Sequence, residues 1–98
     1  MSTLHTINKS PSDNTLWQSC LAALLPGDAL LMIENAAYAA AQPSVMTQLQ
    51  EYDIDIYLLS ADVDARGLSG KLYTNANIID DQQFVTLACQ HTKVVSWF

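Results

Sequence analysis

A run of five consecutive apolar residues, Ala29 to Ile33, stands between Asp28 and Glu34. A strand with one face in water alternates apolar and polar side chains, whereas a strand covered on both faces is apolar throughout. The run is also far shorter than the roughly 20 apolar residues that a membrane-spanning helix needs. It therefore predicts a central strand of a sheet that has helices on both faces.

Further short β-prone segments occur along the chain, and helical segments separate them. Strands that alternate with helices pair in parallel through right-handed crossovers. The sequence therefore predicts an α/β fold: a single domain over residues 1–98, with three α/β/α layers, a mostly parallel sheet of about five strands and a flavodoxin-like arrangement. The predicted strands are Thr3 to Ile7, Asp28 to Glu34, Asp55 to Leu59, Asn77 to Ile79 and Lys93 to Trp97.

Capping residues and apolar spacing predict the first and last helices. Asp13 can cap the first helix, which Pro26-Gly27 ends. Asp80 and Gln83 resemble a capping box at the start of the last helix. A single buried stripe is predicted for each helix. The stripe of the first comprises Leu16, Trp17, Cys20, Leu21 and Leu24, and that of the last comprises Phe84, Leu87, Ala88 and His91.

The middle of the chain predicts shorter helices. Alanines favour a helix from Asn35 to Ala41, Pro43 interrupts it, and Ser44 to Tyr52 forms a second helix. After the third strand, a helical turn places Asp62 and Arg66 four residues apart as an ion pair.

Composition limits the kinds of partner. Half of the 98 residues are hydrophobic, and ten Asp and Glu against four Lys and Arg give a formal charge of −6. Such a surface does not suit the phosphates of nucleic acids or an anionic membrane. Charged residues make up only 14% of the chain, which favours a surface partly covered by other subunits.

Sites in parallel sheets gather at the carboxyl ends of the strands. Here those positions are Asn8 to Ser12, Glu34-Asn35, Ser60 to Asp64 and Asp80-Asp81. None of them has a glycine-rich phosphate motif, a cysteine or a histidine, so they predict no nucleophile. The carboxylates are interpreted as an acidic rim without a catalytic role.

The two cysteines and two histidines are scattered through the chain, so no cofactor and no metal site is predicted. Cys20 lies in the apolar stripe of the first helix, and Cys89 lies near the end of the last helix. Core packing is the first interpretation of both thiols. His5 lies inside the first strand, where we expect a backbone group to satisfy its ring.

Several segments together resemble the DsrH/TusB family over essentially the whole chain. The first is LHTINKSP at Leu4 to Pro11, followed by DALL at Asp28 to Leu31 and DARG at Asp64 to Gly67. Ile79-Asp80, Phe84-Val85-x-Leu87 and Trp97 complete the pattern. The resemblance implies a single DsrH/TusB-like domain with a DsrEFH-like fold.

The resemblance also implies a function. Such chains are small subunits of a cytoplasmic sulfur relay, assembled with two related DsrE/DsrF-like (TusD/TusC-like) subunits into a hetero-oligomer that exchanges persulfide sulfur with a small carrier protein. In the tRNA-modifying version, the sulfur goes on to 2-thiolation of the wobble uridine. The DsrE/TusD-type partner carries its persulfide cysteine after the third strand, whereas Ser60 to Gly70 here has none. An assembly or docking role is therefore expected.

Two alternatives stay open. Many family members have a cysteine at the position of Cys20, so this residue is the candidate for an accessory persulfide carrier, including in a DsrH-type subunit of dissimilatory sulfur oxidation. The other alternative is a stand-alone α/β module that binds a small ligand at the carboxyl ends of the strands.

Overall fold

A computed structural model describes residues 2–73 and 76–98. Five strands alternate with helices along the chain. The strands are β1 (Thr3–Ile7), β2 (Ala29–Met32), β3 (Asp55–Leu59), β4 (Asn77–Ile79) and β5 (Lys93–Trp97). The α-helices are α1 (Asn14–Ala23), α2 (Pro43–Leu49), α3 (Ser60–Ala65) and α4 (Asp81–Gln90), and a 3₁₀ helix spans Glu34–Ala41.

All five strands belong to one sheet in the order β4-β3-β2-β1-β5, and every neighbouring pair is parallel. The register places Leu4 beside Ala29 on one side of β1 and beside Val94 on the other. The predicted three-layer α/β fold with a parallel sheet is confirmed. The strand order differs from the flavodoxin-like arrangement, in which β1 lies between β2 and β3, because here β1 lies between β2 and β5.

β2 is the central strand, as the run of apolar residues predicts, but it spans Ala29–Met32 and not Asp28 to Glu34, because Glu34 already begins the 3₁₀ helix. All four of its residues are buried. Leu30 and Met32 belong to a large core on one face of the sheet, and Ala29 and Leu31 belong to a smaller core on the other face.

The two faces of the sheet are covered unequally. From β1 to β4 the chain adds strands in one direction, and right-handed crossovers therefore place α1, the 3₁₀ helix, α2 and α3 on one face. The connection from β4 to β5 returns across the whole sheet in the opposite direction. Its helix, α4, therefore lies on the other face, where Leu87 is its buried contribution to the small core.

The helix caps follow the sequence. Asp13 accepts a hydrogen bond from the backbone N–H of Leu16 at the start of α1. The capping box of α4 is complete, because Asp80 accepts from the Gln83 N–H at 2.7 Å and the Asp80 N–H donates to the Gln83 side chain at 2.8 Å.

Three features of the helices differ from the prediction. His91 does not share the helical face of Leu87: α4 ends at Gln90, and His91 has extended backbone with its ring hydrogen-bonded to Ser2. The segment before Pro43 is a 3₁₀ helix, in which small alanine side chains are buried against the sheet. α2 ends at Leu49 and not at Tyr52.

Candidate functional site

Polar residues from three neighbouring strand ends meet at the carboxyl edge of the sheet. We call this set, Asn8, Glu34, Asn35, Asp62 and Arg66, the carboxyl-edge cluster. Asn8 follows β1, Glu34 and Asn35 follow β2, and α3 with its C-cap supplies Asp62 and Arg66 after β3. The structure therefore brings together three of the four strand-end positions at which sites in parallel sheets generally gather. At the fourth, Asp80 is engaged in the capping box of α4.

Arg66 and Asp62 form the centre of the cluster. The predicted Asp62–Arg66 ion pair is present, with Arg66 Nη1 lying 3.4 Å from Asp62 Oδ1. Arg66 Nε donates to Asn35 Oδ1 at 3.1 Å, and Asp62 Oδ2 accepts from the Glu34 N–H at 2.8 Å. These bonds join α3 to the start of the 3₁₀ helix.

Glu34 has a strained backbone. Its φ of 50° is the one positive φ outside glycine in residues 2–73 and 76–98. An L-residue in this left-handed region costs about 1–2 kcal/mol, and such strain persists where neighbouring contacts determine the conformation. Here the Asp62 carboxylate holds the Glu34 N–H, and Asn8 donates to the Glu34 carboxylate at 3.4 Å.

The cluster contains no thiol or hydroxyl side chain. The Arg66 guanidinium is paired with Asp62 and Asn35, and no cysteine occurs among residues 60–70 of the adjoining segment. Chemically, it fixes the relative positions of three strand ends and presents polar groups at the surface.

Cys20 is fully buried in the large core, beside the apolar side chains of α1. Burial raises the pKa of the Cys20 thiol to about 12. At pH 7 the thiol is therefore protonated, whereas the thiolate is the form that attacks sulfur. Cys89 is exposed on α4, so its interpretation as a packing residue is wrong.

His5 is buried, but its partners are side chains and not the expected backbone group. Its Nε2 lies 2.9 Å from Asp28 Oδ2, and Trp97 Nε1 lies 3.1 Å from its Nδ1. Since the indole nitrogen can only donate, Nδ1 must accept and the His5 proton sits on Nε2, directed at Asp28. The Asp28–His5–Trp97 chain of hydrogen bonds thus joins β2, β1 and β5.

Asp28 is a buried carboxylate with three donors. Burial alone would raise its pKa, but the N–H of Thr3, the His5 ring and the N–H of Leu25 outweigh that effect and lower the pKa. The ionised form is therefore stabilised in the folded protein.

Within residues 2–73 and 76–98, no three His, Cys, Asp or Glu side chains lie close enough together to hold a metal ion. Over the same part of the chain, none of the helices has the length and apolar character needed to span a membrane.

Comparison with known proteins gives the family. A family model described as "DsrH like protein" matches residues 9–94. The chain belongs to the DsrH-like family. This confirms the resemblance carried by the sequence motifs, and it covers most of the residues that build the sheet and the carboxyl-edge cluster.

Relatives of this DsrH-like chain are similar over nearly their whole length. A protein from Escherichia fergusonii named "Protein TusB" is 34% identical, over 96% of this chain and 99% of the relative. "Protein TusB" of Escherichia coli K12 is 33% identical with the same coverage. The crystal structure of the ychN protein from E. coli superposes with a TM-score of 0.72 over 98% of this chain and 99% of that one. At 16% identity, this last likeness shows the shared fold alone.

Sequence reasoning missed two features of the DsrH-like chain. It paired Arg66 with Asp62 but did not place Asn35 beside them, and it gave His5 no carboxylate partner. An acidic residue directly before a fully apolar strand was the available signal for Asp28. A carboxylate at that position is either exposed to water or buried beside a hydrogen-bond donor. His5 on the neighbouring strand can be that donor.

Proposed function

We propose that this chain is a subunit of a cytoplasmic sulfur-relay complex that passes persulfide sulfur toward 2-thiolation of the tRNA wobble uridine, with a mainly assembly or docking role. The observation that carries the proposal is the 33–34% identity to proteins named TusB over 96% of the chain. Membership of the DsrH-like family supports the coarser part, a sulfur-relay subunit. The proposal treats residues 1–98 as one domain of this kind.

The burial of Cys20 supports an assembly role. A persulfide carrier must present a thiolate to its donor, and Cys20 is fully buried with a pKa of about 12. The segment after β3 has an ion pair between Asp62 and Arg66 where the DsrE/TusD-type subunits are expected to carry their active cysteine. The principal thiol is therefore proposed to belong to a partner subunit.

The proposed partners are two related DsrE/DsrF-like subunits and a small sulfur-carrier protein. The formal charge of −6 supports the proposal that other proteins bind the tRNA, because an acidic surface repels phosphates. An accessory persulfide at Cys20 stays a prediction. Such a role requires α1 to move away from the sheet so that the thiol reaches solvent.

The test measures 2-thiouridine in tRNA from cells that lack this chain. Deletion is expected to abolish wobble thiolation, and the wild-type gene is expected to restore it. Cys20→Ser is expected to restore thiolation as well, with Cys89→Ser as the matched control. Loss of thiolation in Cys20→Ser, with the complex still assembled, would replace the assembly role by the accessory-carrier role.

Two outcomes would overturn the proposal. Unchanged 2-thiouridine after deletion, together with a defect in sulfur oxidation, would assign the chain to dissimilatory sulfur metabolism. A chain that remains a monomer in the presence of both related subunits would favour the stand-alone ligand-binding module.

A further inference from the structure

The face of the sheet that carries α4 is only partly covered. Five strands about 4.8 Å apart make a sheet about 24 Å wide, and a helix with its side chains is about 10–12 Å across. α4 is the one helix of the described residues on this face, so it covers roughly half of the width. The opposite face has four helical segments.

The uncovered part of this face includes an apolar groove beside α4. It has a volume of about 200 Å³ and lies between α4 and the strands β3 and β4. We call it the α4 groove. The groove is lined by Tyr57, Ile79, Gln83, Thr86, Leu87 and Gln90.

The charges around the α4 groove have one sign. No lysine or arginine occurs in α4, β3 or β4, whereas Asp55, Asp80 and Asp81 are exposed on the same elements or at their ends. A second copy of the chain would bring another −6 charge to this acidic rim. Like charges across an interface oppose association, and opposite charges favour it.

We propose that the α4 groove binds apolar side chains flanked by lysine or arginine on a different protein chain, and that this is the surface through which the subunit joins its complex. The inference rests on the proposed function, because it takes one of the two related subunits as the occupant. Leu, Met or aromatic side chains fill the groove, and the basic flanks face Asp55 and Asp81.

Native Cys89 provides a reporter at the edge of the groove. It is exposed on α4, three residues after Thr86 of the groove lining, and residues three apart are neighbours on a helix surface. In the assembled wild-type complex, its alkylation by iodoacetamide is expected to be at least tenfold slower than in the isolated chain. Buried Cys20 is the internal control and is expected to remain unmodified in both samples.

Two matched variants locate the interface. Thr86→Arg places a bulky cation in the groove, and Thr47→Arg makes the same change at an exposed position of α2, on the opposite face. Thr86→Arg is expected to weaken co-purification with the related subunits at least tenfold, and Thr47→Arg is expected to leave it unchanged. Circular dichroism melts verify that both variants fold.

The outcomes separate the inference from the proposed function. A complex that forms with Cys89 still fully reactive, or that tolerates Thr86→Arg as well as Thr47→Arg, overturns the α4 groove as the interface and leaves the relay function intact. Concentration-dependent protection of Cys89 in the isolated chain overturns the choice of a different protein. If the wild-type chain binds neither related subunit, the proposed function fails and the inference fails with it.

Discussion

Replacing Asp28 by asparagine tests whether the buried carboxylate is held by its three donors. Asp28 is 3% exposed, and its two oxygens accept from Thr3, His5 and Leu25 at 2.9–3.0 Å. Oδ1 accepts from the Thr3 N–H, and Oδ2 accepts from the other two donors. An asparagine has one acceptor oxygen and one NH₂ group, so it cannot serve both sides.

The magnitude follows from the better of the two amide orientations. With the oxygen toward His5 and Leu25, the NH₂ group of Asn at position 28 faces the Thr3 N–H, and one buried donor loses its acceptor. Such a donor costs about 1–3 kcal/mol. We therefore expect Asp28→Asn to lower the free energy of unfolding by about 2 kcal/mol. For a domain of this size, Tm falls by about 8–16 °C.

The pH dependence distinguishes this explanation from a general packing defect. The folded-state pKa of Asp28 is lowered, so its stabilisation is complete above the unfolded pKa of about 4 and is lost as pH falls through the folded value. The difference in stability between wild type and Asp28→Asn should therefore shrink from pH 7 to pH 3. Urea unfolding followed by circular dichroism at both values measures it.

The matched control is Asp55→Asn, at an exposed aspartate on the same sheet. It should change the free energy of unfolding by less than about 0.5 kcal/mol. A loss of unfolding free energy in Asp28→Asn that is no larger than this, or that is the same at pH 3 and pH 7, would refute the stabilisation of an ionised Asp28 by its three donors.

Three further perturbations test other parts of the fold. Trp97→Phe removes the indole N–H that fixes the His5 tautomer; it should lower the free energy of unfolding by about 1 kcal/mol and change the His5 ring ¹⁵N shifts in NMR. Asp80→Ala removes the cap of α4 and should lower the free energy of unfolding by about 1 kcal/mol in urea, whereas Asp81→Ala, outside the capping box, should lower it less. Glu34→Gly relieves the positive φ and should raise the free energy of unfolding by up to about 1 kcal/mol; a decrease in the same urea assay would show that the Glu34 side chain stabilises the loop.

The strands were predictable because each depends on a local apolar run. β1, β3, β4 and β5 have the bounds that the sequence predicted, and the unbroken run in β2 indicated its central position. The capping box of α4 was predictable for the same reason, since its two residues are three positions apart. Local patterns therefore predicted the layers of this fold.

The contacts that build the site depend on strand order and register, which local patterns do not contain. His5 meets Asp28 because β1 and β2 are neighbours, and Trp97 reaches His5 because β5 is the other neighbour of β1. The Arg66–Asn35 bond likewise joins α3 to the start of the 3₁₀ helix. Cys89 is exposed because, within residues 2–73 and 76–98, α4 has no second helix beside it, a consequence of the single return crossover.

The position of β5 beside β1 has a consequence for folding during synthesis. Thr3 pairs with Lys93, so β1 is synthesised about 90 residues before the strand that covers one of its edges. Until residues 93–97 are in place, that edge of β1 has unpaired backbone groups, and such an edge is a template for pairing with other chains. A chain interrupted before β5 would therefore carry an aggregation-prone edge along its first strand, so β5 protects the oldest strand of the sheet from other chains.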